Sequence, residues 1–411
     1  MAKLQCVRGT YDLYGAAKRK TKQVVRTGEE VVEKYGFEEI ETPIFEFTEV
    51  FARNLGDTSD IVTKEMYCFE DRGGESLTLR PEGTAGVVRS FISEGMQQNL
   101  PVKLYYSGPM FRYERPQKGR QRQFTQFGCE LLGVETPQAD IEVIAMAYEF
   151  LEKLGLTGSV TVEINSLGDK ESRDAYREKL VAYLKSRYDE LSEDSKTRLE
   201  RNPLRVLDSK EECDKAVVEG APLYKDSLNE ASAAFFNAVL KGLDNLGIKY
   251  KVNDRLVRGL DYYSHTVFEL VTDKLGSQGT VLAGGRYDGL VEQMGGGAVA
   301  GIGWACGVER LAMLLDEEPA VERPVAVIPV GEEAEDKALE IAHRLRLAGL
   351  KTEQGYSGNL KKRMIRANKA NARKAVIIGS EELARNEVTV KDLDSGEQKN
   401  VALDQLIEEV K

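Results

Sequence analysis

The apolar residues change their period several times along the chain. From residue 18 to 35, Val24, Val25, Val31, Val32 and Tyr35 fall on one helical face, and the pattern breaks at Gly36, predicting an opening amphipathic helix. The segments GFEEIETPIFE, KLYYSGPMFRYE, RQFTQFGCELLG, SVTVEINS and HTVFELV then largely alternate apolar with polar positions between Gly, Pro or charged turns, which predicts an antiparallel sheet. Between about 170 and 245 the texture becomes charged and helix-periodic, with Tyr176, Leu180, Tyr183 and Leu184 on one face, and reads as a helical insertion. From about 324 a third texture begins: PVAVIPV, a helix over 332–348, a short strand, a basic helix over 359–373, then KAVIIG. The expected fold is an α+β domain over 1–323, its antiparallel sheet flanked by helices and interrupted by the insertion, followed by a small α/β domain over 324–411. The acidic stretch DEEPAVERP is the expected linker.

Composition narrows the chemistry. At 41% hydrophobic and 30% charged residues, the 411-residue chain is globular in type. No apolar run approaches the roughly 20 residues that span a bilayer, and MAKLQCVRGTYDL has no apolar signal core, so a cytoplasmic protein is expected. The five cysteines are scattered without paired spacing and read as reduced thiols. With only His265 and His343 available, histidine-based metal or triad chemistry lacks parts, and no protein-bound metal is expected. A net charge of -11 argues against coating nucleic acid nonspecifically, so any RNA contact must be local. Continuous apolar strands before GxGxxG or GxxxxGK[ST] are absent, which disfavours Rossmann and P-loop folds.

The densest charge lies in GPMFRYERPQKGRQRQF, where Arg112, Arg115, Lys118, Arg120 and Arg122 face only Glu114. Arg112 falls in a strand-like segment and Pro116–Gln121 in a loop, a fixed guanidinium followed by a basic flap suited to polyphosphate, although an exposed basic hairpin would carry the same charges. TLRPEGTA puts Glu82 in a strand-to-turn setting where its carboxylate could meet an ammonium group or form an ordinary surface pair. LVRGLDYYSHTVFEL combines Arg258, Gly259, Asp261, Tyr262 and Tyr263 before a strand, fitting either a pocket floor or a core tyrosine pair. AGGRYDGL offers glycines that permit close backbone approach, or just a turn. GIGWACGVERLAML runs into a helix with Val308, Leu311, Ala312 and Leu315 in period and Glu309 and Arg310 near its first turn, a possible phosphate terminus.

Taken in this order and spacing, these segments resemble the three signature motifs of class II aminoacyl-tRNA synthetases, and LVRGLDYY with AGGRYDGL resemble the two motifs of the histidyl branch. The resemblance covers essentially the whole chain, RPQKGRQRQF is similar to the bacterial form, and class I HIGH and KMSKS signatures are absent. It implies ATP-dependent activation of L-histidine to the adenylate and transfer to tRNA(His), with ATP and Mg²⁺ as cosubstrates. It further implies a homodimer built through the motif around Pro43, and an anticodon-binding role for residues 324–411. Arg112, Arg120 and Arg310 would bind ATP, Arg112 at the α-phosphate and Arg310 at the γ-phosphate, while Arg258 would bridge the histidine carboxylate and α-phosphate. Arg258, Arg112 and Arg310 are thus the implied catalytic set. Glu82, Gly83, Thr84 and Gln126 would surround the amino group, and Glu130 and Tyr263, with Tyr262 close by, would read the imidazole. Arg115, Gln121 and Arg122, and in the carboxy-terminal basic helix Lys361, Lys362, Arg363 and Arg366, would contact tRNA. Gln121 and Thr125 depart from the family's frequent tyrosine and histidine, and RGTYDLYG departs from its usual amino-terminal segment. Two rivals are set against this reading: a non-catalytic regulatory paralogue, and an adenylate-forming enzyme with another acceptor.

Overall fold

A computed structural model describes residues 3–53, 61–207, 209, 211–258, 262–276 and 279–411, which divide into two units, Met1–Pro319 and Ala320–Lys411. Gly259 and Asp261 lie outside the described residues.

The first unit opens with helix α1 (Gly15–Val32), which ends through a short tighter turn at Gly36, whose left-handed backbone suits glycine. Then come β1 (Glu38–Glu39), β2 (Phe45–Phe47), α2 (Thr48–Ala52), β3 (Tyr67–Glu70), β4 (Ser76–Leu79), α3 (Thr84–Ser93), β5 (Val102–Phe111), β6 (Gln123–Leu132), α4 (Pro137–Lys153) and β7 (Thr161–Ser166). Helices α5 (Lys170–Ser186), α6 (Glu193–Arg201), α7 (Glu212–Glu219) and α8 (Glu230–Asn245) follow. The unit closes with β8 (Tyr250–Val252), β9 (Ser264–Val271), β10 (Thr280–Arg286), α9 (Leu290–Gln293), β11 (Gly301–Gly307) and α10 (Val308–Leu314). Eight strands form one sheet in the order β1-β5-β6-β11-β10-β9-β7-β8. Its six inner strands are antiparallel as the alternation predicts, and the short edge strands β1 and β8 pair in parallel. Strands β2, β4 and β3 make a separate small antiparallel sheet.

One face of the large sheet is covered by α1 and α4. Val24, Val31 and Val32 of α1 and Val143, Ile144, Ala147 and Phe150 of α4 bury against Phe127, Leu131 and Trp304. Full burial of each large apolar side chain contributes roughly 1.5–3 kcal/mol. The helical stretch over 170–245 does not behave as one insertion. Helix α8 packs along α4 and sends Val239 and Leu243 into the sheet core, whereas α5, α6 and α7 build a second core from Tyr176, Leu180, Leu184, Leu199 and Val217. That second core continues to Tyr262, Tyr263 and Tyr287.

The second unit contains β12 (Val325–Pro329), α11 (Glu335–Leu347), β13 (Thr352–Gln354), α12 (Leu360–Lys369), β14 (Lys374–Ile378), α13 (Ser380–Arg385), β15 (Glu387–Asp392), β16 (Gln398–Ala402) and α14 (Leu406–Val410). Its sheet runs β13-β12-β14-β15-β16, parallel through β14 and antiparallel beyond. Val325, Val327, Val376 and Ile378 are buried on one face and Ala326, Ile328 and Ala375 on the other, as the near-continuous apolar runs of a covered parallel sheet require.

Candidate active site

A cleft of about 880 Å³ opens over the large sheet of the first unit. Its floor follows from strand alternation: Phe124, Gln126 and Glu130 on β6, Glu269 on β9 and Gly303, Ala305 and Gly307 on β11 line it at even spacing. One floor glycine, Gly303, has a steric reason. A Cβ on Gly303 would stand 2.0 Å from the Glu130 carboxylate, and Gly303 is the ladder partner of Glu130. Of the glycines of AGGRYDGL, Gly284 and Gly285 lie inside strand β10, and only Gly289 lies in a turn, ahead of α9. A Cβ on Gly285 would meet Thr266 O at 2.7 Å and the Tyr263 ring at 2.9 Å, so it yields room to the protein's own tyrosine.

At one end of the cleft the arginines gather. Strand β5 stops at Phe111, one residue before Arg112, but Arg112 N still donates to Arg122 O at 3.0 Å. The Arg112 guanidinium donates from Nε to Pro81 O at 2.9 Å and lies 5.3 Å over the Phe124 ring. Arg310 donates from Nε to Gly119 O at 2.8 Å and from Nη1 to Thr280 O at 2.9 Å, and Arg120 pairs with Glu114 at 2.9 Å. Burial, then the nearby Arg120 and Arg112 charges, hold the Arg310 guanidinium below its ordinary range. Like charges crowded this closely favour an anion among them. Arg258 is bonded to Glu269, which also accepts from Thr280 Oγ1 at 2.8 Å. Burial alone would lower the Arg258 pKa, but the Glu269 carboxylate together with the Tyr263 and Tyr262 hydroxyls outweighs it and the net shift is upward.

Next to Arg112 and Arg258 lies a nest of buried polar groups. Glu82 precedes α3 and accepts from Thr84 N at 2.7 Å and Ala85 N at 2.9 Å, a negative group on a helix's first turn. Gly83, between them, packs on the Tyr106 ring. Burial raises the Glu82 pKa against the pull of those two backbone N–H groups and Arg112. Thr84 Oγ1 donates to Glu130 Oε1 at 2.7 Å, and Tyr287 OH donates to the other oxygen. Burial pushes the Glu130 carboxyl up to about 8, although these two hydrogen bonds pull the other way. The Tyr262 and Tyr263 rings sit 4.7 Å apart, and Tyr262 meets Tyr287 edge-on at 5.7 Å. The Gln126 amide oxygen is buried with no hydrogen-bond partner among the described residues.

Most residues singled out from the sequence therefore line one cleft, including Glu82, Thr84, Arg112, Arg120, Gln121, Gln126, Glu130, Arg258, Tyr262, Tyr263 and Arg310. Arg115 is exposed on the basic loop, and Arg122 turns away to stack 3.9 Å over Tyr113. In the second unit Lys361, Lys362 and Arg366 are exposed on α12. Arg363 is not available as an RNA contact: it is buried, bonded to Pro329 O and paired with Glu335 at 2.5 Å, so its charge holds α12 to the sheet and α11. Sequence reading missed Tyr287 and Glu269. The only available signals were a tyrosine directly after the strand residue Arg286 and a lone acid at an inward-facing position of β9.

The family model Histidyl-tRNA synthetase matches residues 9–311, and the model Anticodon binding domain matches 324–411. A histidine–tRNA ligase of Rhodospirillum rubrum is 61% identical over 404 residues, covering 98% of this chain and 97% of that one. One from Gluconobacter oxydans is 56% identical over 401 residues, with 98% and 97% covered. The crystal structure of apo Staphylococcus aureus histidyl-tRNA synthetase superposes with a TM-score of 0.84 at 37% identity, covering 99% of this chain and all of that one.

Proposed function

The chain belongs to the histidyl-tRNA synthetase family, and from that premise we propose how its cleft divides the labour of activating histidine with ATP and charging tRNA(His). Arg112 holds the α-phosphate, Arg310 and Arg120 the far end of the triphosphate, and Arg258 joins the histidine carboxylate to the α-phosphate. Glu82, Thr84 and the unpartnered Gln126 oxygen take the ammonium group, whose arrival favours the ionised form of Glu82. Glu130 and Tyr263 read the imidazole, with Tyr287 orienting Glu130. An amino acid without the ring leaves these buried groups unpaired, which is costly.

The carboxylate of histidine attacks the α-phosphorus in line, charge builds on the equatorial oxygens, and pyrophosphate leaves. Mg²⁺ enters with ATP and neutralises charge on the pyrophosphate. The chain's own contribution is positioning and fixed positive charge, so no side-chain nucleophile is needed. A hydroxyl at the tRNA 3′ end then attacks the acyl carbon of the adenylate, the acyl–phosphate bond breaks, and AMP leaves. The exposed lysines and Arg366 of α12 serve RNA contact in the second unit, and the loop residues Arg115 and Gln121, with Arg122 at its base, serve the first. The exposed Ile44, Phe45, Phe47 and Phe69 of the small sheet and its approach supply an apolar face for a homodimer working in the cytoplasm.

The crowding of Arg112, Arg120 and Arg310 in the same cleft as the buried carboxyls of Glu82 and Glu130 carries this reading. Pyrophosphate exchange with each of the twenty amino acids tests it. Exchange with histidine alone is expected, and comparable exchange with any other amino acid would overturn the assigned imidazole contacts.

A further inference from the structure

The basic loop between β5 and β6 is tied down at its base by the amino-terminal segment. Val7–Thr10 form a tight turn, with Thr10 N donating to Val7 O at 2.9 Å and Thr10 Oγ1 to the same oxygen at 2.8 Å. Cys6 Sγ adds a bond to Thr10 O at 3.3 Å. Gly9 has φ +87°, a conformation that favours glycine at this turn position. Its carbonyl accepts from Arg122 N at 2.8 Å, at the point where the loop re-enters β6. Its Cα lies so close to the loop that a Cβ would stand 2.8 Å from Arg122 Cγ and 2.9 Å from Pro116 Cγ. The Pro116 ring cannot swing away as a long side chain could. Directly after the turn, Tyr11 and Leu13 line the cleft.

On the opposite limb Tyr113 N donates to Glu65 O at 2.7 Å, and at the tip Arg310 donates to Gly119 O. The loop is thus anchored at three points: one limb, the tip, and the base where Gly9 sits.

We propose that the Val7–Thr10 turn, through Gly9, is a positioning element for ATP. By holding Arg122 N and leaving no space under Pro116, it sets the height of the loop that carries Arg112, Glu114 and Arg120 over the triphosphate end of the cleft. The proposal rests on the reading of that end as the ATP site.

Gly9→Ala and Gly9→Val in the full-length chain test it, with hydrogen–deuterium exchange and steady-state pyrophosphate exchange as separate readouts. Exchange is expected to quicken in residues 112–122 and to stay unchanged in α4 and in the second unit. The KM for ATP is expected to rise about tenfold, the order expected for one lost hydrogen bond with its packing, while the KM for histidine moves less than about twofold. Adding Pro116→Ala to Gly9→Ala removes one of the two close contacts, and partial recovery of both loop protection and the KM for ATP is expected. Unchanged loop exchange in both variants would overturn the latch itself. Faster loop exchange with an unchanged KM for ATP would instead refute the loop's part in holding ATP and leave the latch standing. Equal rises in both KM values, with exchange raised throughout the first unit, would mean a general loss of structure and would also overturn the positioning role.

Discussion

Glu130→Gln should change the way stability depends on pH more than it changes stability itself. The carboxyl is buried and titrates at about 8, against 4.5 for an exposed glutamate. Below about pH 4.5 the group is protonated whether the chain is folded or unfolded, and its stabilising contribution is then fully present. As pH rises from 4.5 towards 8 the unfolded chain ionises this carboxyl and the folded chain does not, so stability is lost across that window. At about 1.4 kcal/mol per pH unit the full loss is on the order of 5 kcal/mol, of which roughly 3 kcal/mol falls between pH 5.5 and 7.5. Glutamine has no such titration. Thr84 and Tyr287 donate to different carboxyl oxygens, and the amide puts an NH2 where one of those oxygens stood, so the variant should be less stable at pH 5.5 by about 1–3 kcal/mol, with the gap closing or reversing by pH 7.5. Burial also raises the Glu82 pKa, and this carboxyl is present in both proteins. The chain has a single tryptophan, Trp304, on β11 beside this pocket, so its fluorescence in urea reports the first unit selectively. Wild-type and variant curves that run parallel from pH 5.5 to 7.5 would refute a neutral, buried Glu130.

Arg258→Ala should lower histidine-dependent pyrophosphate exchange by about 10²–10³, the usual loss for one transition-state charge donor; an unchanged rate would remove Arg258 from the mechanism. Removing residues 324–411 should impair tRNA charging far more than adenylate formation, and equal losses in the two assays would sink that division of labour. Arg286→Met should cost the first unit about 3–5 kcal/mol in urea unfolding, because buried Asp140 loses its guanidinium partner. A cost below about 1 kcal/mol would show that Asp140 finds another partner.

The alternation of apolar residues was enough to anticipate the antiparallel sheet, because its inner strands are long and carry one buried face. It did not reveal the parallel edges, since β1 and β8 have two and three residues and their pairing depends on neighbours far along the chain. Helical periodicity located the helices of residues 170–245 but not their allegiance. Whether α8 or α5 joins the sheet core depends on which apolar face meets α4, and that is a tertiary choice. In the cleft, the arginines and Glu82 were visible as unusual charges in glycine- and proline-rich settings. The bond between Tyr287 and Glu130 was not, because it joins residues 157 positions apart and neither is unusual where it stands. Arg363 shows the opposite failure: one-letter sequence displays its charge alongside Lys361 and Lys362 and conceals that only it points inward.

The pairing of Glu130 with Gly303 across β6 and β11 has an evolutionary consequence. Any side chain at 303 collides both with Glu130 and with the backbone carbonyl of Cys129, 2.3 Å from where its Cβ would stand, and a shorter residue at 130 opens a void that glycine cannot fill. Position 303 is held to glycine by the backbone whatever stands at 130, and position 130 can shrink only by opening a hole. On the proposed reading of Glu130 as an imidazole contact, substrate choice is confined to one rung of one ladder, and an engineered change of amino acid at this site should keep Gly303 and vary position 130 with the residues around it.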